Sequence, residues 1–197
     1  MTPPLTREVV STLNEFITSE LKIYTSSLSL GHNLLPTDTQ YGHDGALLSA
    51  MGLIRLSALP DPPSQIPLYQ SAIILNTLLQ KSRHNYQALP LLVRVHLLLG
   101  AIPLAMKIYP WLNIKQIQKD TLAHFLLVRI RAPHLASNRM EPPLKEALNI
   151  YDASSSQTLG ILVLAYERGS PAPMMGFVEF ADRVSGSVCR GMWEVGK

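Results

Sequence analysis

The sequence predicts an all-α protein, a segment of α-solenoid with about nine helices. Apolar residues recur at three- and four-residue spacings along most of the 197-residue chain. Prolines and glycines such as Pro36, Pro60 to Pro63, Gly100 and Pro133 punctuate those stretches. No stretch alternates apolar with polar residues under β-branched enrichment, so no sheet is expected. The length suits one domain or one run of a repeat array, and the reading is of a single segment, 1–197. It divides into upstream helices over 5–64, a central part over 65–131, a linker over 132–142 and downstream helices over 143–197.

Val9, Val10, Leu13, Phe16, Ile17, Leu21 and Tyr24 predict an amphipathic helix over 6–28, capped by Thr6 and closed by Gly31, Asn33 and Pro36. A second helix, Asp44 to Leu59, carries Leu47, Leu48, Met51, Ile54 and Leu56 until Pro60-Asp61-Pro62-Pro63 stops it. Pro67 suits the first turn of a third, whose stripe is Leu68, Ala72, Leu75 and Leu79 and whose end lies near Ser82. Asn85 caps a fourth that reaches Leu99 and stops at Gly100, with Pro90 about one turn inside as a source of slight bending. Pro103 opens a fifth ending near Trp111, and Lys115 to Arg131 forms a sixth before Pro133. Beyond the linker come Leu144 to Tyr151, Thr158 to Arg168 and Met174 to about Val188.

A weak internal repeat of the tetratricopeptide kind runs through this pattern. In that plan a glycine ends the first helix, an alanine five residues on lets the second approach closely, and an aromatic four residues later fills the gap. Gly100, Ala105 and Tyr109 reproduce the spacing. Tyr166-Glu167-Arg168-Gly169 begins a degenerate copy, with Met174 and Val178 where alanine and the aromatic belong.

Charged residues make up 16% of the chain, against roughly 25% in ordinary soluble domains, while 47% is hydrophobic. Disorder is excluded, and part of the weakly polar surface is expected to meet another protein. Lys plus Arg exceed Asp plus Glu by only 17 to 14, and the cations are scattered, which argues against direct DNA binding. Lone Cys189 supports neither an internal disulfide nor a Cys-based metal site, reads as a small buried hydrophobe, and points to a reduced compartment, cytosolic or nuclear. The longest apolar run, Leu89 to Ile102, is interrupted by Pro90, Arg94, His96 and Gly100, so no membrane span is expected, and Met1-Thr2-Pro3-Pro4 has no signal-peptide character.

Chemistry-bearing motifs are missing: there is no Gly-x-Ser-x-Gly elbow, His-Glu-x-x-His pair, Walker loop or dinucleotide fingerprint. The histidines at 32, 43, 84, 96, 124 and 134 never reach metal-site spacing on one helix, and His96 reads as a core or partner-contact residue. His43-Asp44 reads as an Asp N-cap with a neighbouring His. Arg183 to Val188 resembles the pyrophosphate loop of GNAT-type acetyltransferases but ends on a branched residue and follows no strand, so it reads as a chance match. No catalytic, cofactor-binding or metal-binding residue is assigned.

From Asn85 onward the chain resembles a known family. Asn85-Tyr86-Gln87, Leu91-Leu92-Val93-Arg94, Leu99-Gly100-Ala101, Ala105 and Tyr109 belong to the resemblance, and above all the string from Ile114 to His124, Ile-Lys-x-Ile-Gln-x-Asp-Thr-Leu-x-His. Together they look like the non-catalytic auxiliary subunit of the N-terminal acetyltransferase B complex, NatB. Weaker similarity takes in Leu35-Pro36, Gln40-Tyr41-Gly42 and Leu47 to Leu56 upstream. Downstream it takes in Ala165-Tyr166, Gly169-Ser170, Phe177 to Phe180 and Val184-Ser185. The match is strongest over 69–131.

The resemblance implies a cytoplasmic scaffold, a superhelix of tetratricopeptide-like repeats that wraps a small GNAT-type catalytic subunit and helps place it at the ribosome. The pair would acetylate nascent chains beginning Met-Asp, Met-Glu, Met-Asn or Met-Gln, with consequences for actin organisation. It implies no cofactor and no enzyme activity for this chain itself. Family members are several times longer, so the expectation is an internal or truncated piece. Two other classes stay open: a generic tetratricopeptide-like scaffold, which would need clustered Lys, Arg and Asn on a concave face, and a free-standing acetyltransferase, which would need strands.

Within the strongest string, Ile117, Leu122, Phe125 and Leu126 share a helix face expected to be buried. The polar residues Lys115, Gln118, Asp120, Thr121 and His124 are the candidate partner contacts, with Asp120 and His124 four residues apart.

Overall fold

The computed structural model describes residues 7–35, 38–59, 64–114, 118, 141–169 and 174–194. It consists of two compact units, Met1–Asn113 and Ile114–Lys197. Among the described residues every regular element is a helix, as the apolar spacing predicts.

The first unit contains α1 (Arg7–Ser27), a 3₁₀ turn (Leu28–Gly31), α2 (His43–Ser57), α3 (Ile66–Lys81), α4 (Ala88–Leu98), α5 (Ile102–Ile108) and a second 3₁₀ turn (Tyr109–Leu112). Each helix packs on the next in the chain, the solution expected of a row of amphipathic helices with short connections. The centre of the row is α2, whose inner positions are small: Gly45, Ala46, Ser49, Ala50 and Gly52 are all buried. A Cβ on Gly45 would stand 2.7 Å from the backbone oxygen of Glu20, and one on Gly52 2.8 Å from Cγ1 of Ile17, so α1 lies against the bare backbone of α2. Ser49 Oγ donates to Gly45 O at 2.7 Å with Ile17 O at 3.2 Å as a second acceptor, and Ser71 Oγ of α3 donates to Ala50 O at 3.2 Å. Two hydroxyls thus tie three helices together at positions too tight for larger side chains. Beyond them the core turns aliphatic, with Leu75, Leu78, Leu89, Leu92, Val93 and Val95 shielded almost completely, each contributing about 1.5–3 kcal/mol by burial.

Helix boundaries follow local chemistry. Pro67 and Pro103 sit in first turns, where no intrahelical N–H bond is lost. Asn85 Oδ1 accepts from the N–H groups of Gln87 (3.1 Å) and Ala88 (2.9 Å), which caps α4. Because the helix proper begins at Ala88, Pro90 falls in its first turn rather than one turn inside it, and the expected bend has no cause. At the other end Gly100 adopts φ 70°, its N–H reaches Leu97 O at 3.1 Å, and the Ala101 N–H reaches His96 O at 2.8 Å. That double bond is a Schellman turn. Ala105, five residues after the glycine, is completely buried on α5, as the spacing predicts, while Tyr109, expected to fill the gap, is only half-buried at the start of the second 3₁₀ turn. At α2 the expectation is corrected: Gly42 at φ 68° takes the cap position, and Asp44 lies in the first helical turn instead.

The second unit contains α6 (Glu141–Glu167), α7 (Met174–Ser185) and α8 (Val188–Glu194). Two expected helices, Leu144 to Tyr151 and Thr158 to Arg168, are one. The serine run between them carries no glycine or proline, and Ser156 Oγ bonds back to Asp152 O (3.1 Å) and Ala153 O (3.2 Å), which leaves the helical ladder intact. The last two residues assigned to the linker, Glu141 and Pro142, already belong to α6. Conversely, the helix expected from Met174 to about Val188 stops at Ser185, since Gly186 follows and Ser187 starts a new one: Ser187 Oγ accepts from the Arg190 N–H at 3.3 Å. The count of about nine is therefore not matched exactly, while the helical class is. Tyr151, buried in this unit, lies 3.5 Å from Ser187 Oγ through its hydroxyl and 5.8 Å from the Arg190 guanidinium at its ring centroid. Cys189 is half-buried rather than a core hydrophobe.

Candidate partner surface

Of the residues predicted to contact a partner, Lys115, Asp120, Thr121 and His124 lie outside the described residues, as does most of the helix Lys115 to Arg131. Gln118 is helical and exposed.

Two connections of the first unit meet at one hydroxyl. Ser82, just past the end of α3 and almost fully buried, accepts the Gln40 N–H at 3.1 Å and donates to Asp38 O at 3.3 Å. It also accepts, through its carbonyl, the Asn85 N–H at 3.1 Å. The α1–α2 and α3–α4 connections are thereby held together, although more than forty residues separate their partners in sequence. Arg83, the next residue, places its guanidinium 5.7 Å from the ring centroid of Trp111 and so brings in the turn that follows α5. Ser27 Oγ donates to Tyr41 O at 2.5 Å, and Asp38 Oδ2 accepts the Leu35 N–H at 3.1 Å, two further bonds within the described part of the α1–α2 connection.

Aromatic side chains are presented from these pinned turns. Tyr41 is 54% exposed, Tyr86 61% and Trp111 47%. Tyrosine, tryptophan and arginine are the residue types on which interfaces most often depend, because each brings large area at small entropic cost. The carboxylates nearby are engaged locally: Asp38 as above, and Asp44 with His43 Nε2 at 3.2 Å, while His43 Nδ1 contacts Gln40 O at 3.0 Å. The sequence signal that points to this end is modest. Tyr41, Tyr86 and Trp111 each adjoin a turn-forming residue, Gly42, Asn85 and Pro110, but nothing in one dimension joins Arg83 to Trp111.

Two further polar groups of this unit are buried in its core. His96 is buried in the α4 core, its Nδ1 lacks a partner, and burial holds its pKa below the ordinary 6.5. The Tyr24 hydroxyl is likewise buried without a partner, and desolvation raises its pKa. The segment Arg183 to Val188 runs from the end of α7 into α8, with Arg183 paired to Glu179 at 3.6 Å; a helix precedes it, so the acetyl-CoA resemblance has no structural support. Among the described residues no group of three or more His, Cys, Asp or Glu could hold a metal ion, and no helix is long and apolar enough to cross a membrane.

Comparison with known proteins places these features in context. A family model described as N-acetyltransferase B complex (NatB) non catalytic subunit matches residues 5–197. The chain is 30% identical over 174 residues to the N-terminal acetyltransferase B complex subunit arm1 of Schizosaccharomyces pombe, an alignment covering 86% of this chain and 21% of that protein. It is 26% identical over 165 residues to N-alpha-acetyltransferase 25, NatB auxiliary subunit, of Homo sapiens, covering 84% of this chain and 17% of the relative. The N-terminal acetyltransferase B complex subunit MDM20 of Saccharomyces cerevisiae is 28% identical over 119 residues, covering 59% and 15% respectively. The chain spans about a fifth or less of the length of these curated relatives.

Proposed function

The chain belongs to the family of non-catalytic subunits of the N-acetyltransferase B complex, and from that membership we propose that it is a scaffold segment that holds a GNAT-type catalytic subunit. The observation that carries the proposal is the family match over 5–197, nearly the whole chain. The helical row supports it physically: neighbour-on-neighbour packing with pinned turns presents side chains on a rigid frame, which suits holding rather than turnover.

In this reading the complex works in the cytoplasm, at or near the ribosome, on nascent chains beginning with Met followed by Asp, Glu, Asn or Gln. The scaffold contributes placement of the catalytic subunit, not the chemistry. Lys115, Gln118, Asp120, Thr121 and His124 serve as polar contacts to that subunit or fix the architecture of the helix that bears them. The test is co-expression of the chain with the catalytic subunit of its own organism. Co-purification and faster acetylation of a Met-Asp peptide are expected, and loss of the complex with helicity retained is expected when Lys115, Gln118 and Asp120 are replaced by Ala. A chain that never co-purifies overturns the proposal.

A further inference from the structure

Arg83 is exposed, lies 5.7 Å from the ring centroid of Trp111, and has no carboxylate within ion-pair distance among the described residues. An arginine stacked on an aromatic face keeps its planar donor fork oriented while the edge remains open to a bidentate acceptor. Tyr86 stands three residues on in the same turn, and Tyr41 adjoins Gln40, whose N–H is bonded to Ser82. A directed cation is thus placed on the same set of pinned turns as three half-exposed or more exposed rings. Because the turns are already fixed by the Ser82, Ser27, Asp38 and Asn85 hydrogen bonds, little ordering cost remains on binding.

We infer that this end of the first unit, with Arg83, Trp111, Tyr86 and Tyr41 as anchors, docks a polypeptide segment bearing one carboxylate flanked by apolar side chains, carried by the catalytic subunit. The inference rests on the auxiliary-subunit reading and assigns it a surface outside the Lys115 to His124 string. Charge decides the class of occupant. A phosphate backbone would call for several cations, whereas the α1–α2 and α3–α4 connections and the helix ends that flank them carry Asp38 and Asp44 as well as Lys81 and Arg83, leaving one ring-stacked fork rather than a basic field. One carboxylate satisfies the fork, and apolar neighbours satisfy the rings.

The experiment measures affinity between the full 197-residue chain and the catalytic subunit by calorimetry, with helicity followed by circular dichroism. Arg83→Gln is expected to weaken the complex about tenfold and to flatten its salt dependence, Arg83→Lys to fall between, and helicity to stay unchanged. If Arg83→Gln lost helicity, Tyr86→Ser at its exposed position carries the same expectation of weakening. Unchanged affinity in a folded Arg83→Gln variant overturns the inference and leaves the auxiliary reading standing. Failure of the unsubstituted chain to bind overturns both. A single-stranded RNA oligonucleotide that binds through Arg83 while the affinity for the catalytic subunit is unaffected also overturns it.

Discussion

Tyr24 is 4% exposed, yet its hydroxyl has no hydrogen-bond partner. Leaving a buried polar group unmade costs about 1–3 kcal/mol, so Tyr24→Phe is expected to raise stability by about 1 kcal/mol, read as a higher urea midpoint at unchanged slope. Glycines offer a graded series. Gly45→Ala drives a Cβ onto a backbone oxygen 2.7 Å away that cannot swing aside, and about 2–3 kcal/mol of destabilisation is expected. Gly100→Ala meets nothing within 4 Å but must hold φ 70°, costing about 1–2 kcal/mol. Gly160→Ala, open on all sides within α6, is expected to stabilise by about 0.5–1 kcal/mol. His96 supplies a pH dependence with a definite sign. Its folded pKa lies below the ordinary 6.5, so the neutral ring favours folding above that value, and stability is lost as pH falls from there through the folded pKa. Thermal unfolding between about pH 7 and about pH 5 should show the loss, and His96→Leu should flatten it.

Elements end where side chains offer the backbone an alternative partner. Ser187 caps α8 through the Arg190 N–H, and Ser187→Ala is expected to cost about 1 kcal/mol, seen as faster amide exchange over 188–191. Most of the helical architecture is legible in sequence for this reason: proline in first turns, Asn85 before α4 and Gly100 after it are local signals, and local signals survive folding. The serine run after Tyr151 misleads because serine marks a break only when its hydroxyl leaves the helix, and Ser156 instead turns back onto the preceding carbonyls. The stop after Ser185 is missed because a Gly-Ser pair reads equally as a helix end or as a cap for a new one. The surface is less legible than the elements. The Ser82 and Arg83 contacts join residues that no spacing rule connects, while the polar string that sequence similarity highlights lies almost wholly outside the described residues.

At the scale of the molecule, the low charged fraction corresponds to large apolar side chains in contact with solvent in both units. On α1, Val9, Phe16 and Ile23 stand seven residues apart, on one helix stripe, and all are exposed. On α6, Leu159, Val163 and Tyr166 repeat the arrangement at four- and three-residue spacing. Stripes of this kind on a chain with a net charge of only +3 favour self-association when no partner is supplied. Sedimentation velocity of the chain alone is expected to show concentration-dependent association, and Phe16→Glu to reduce it with helicity unchanged. Partner-bound material should sediment as a single species.

The packing of each helix of the first unit on its successor also sets the tempo of assembly. Contacts made mostly between adjacent helices close short loops, and loop closure is a large part of the entropic barrier to reaching a folding transition state. Refolding of this row from urea is therefore expected on the millisecond scale or faster. During synthesis each helix after the first meets the preceding one as it emerges, so the row can grow vectorially, and the Ser82 bonds to Asp38 and Gln40 close once α3 is complete.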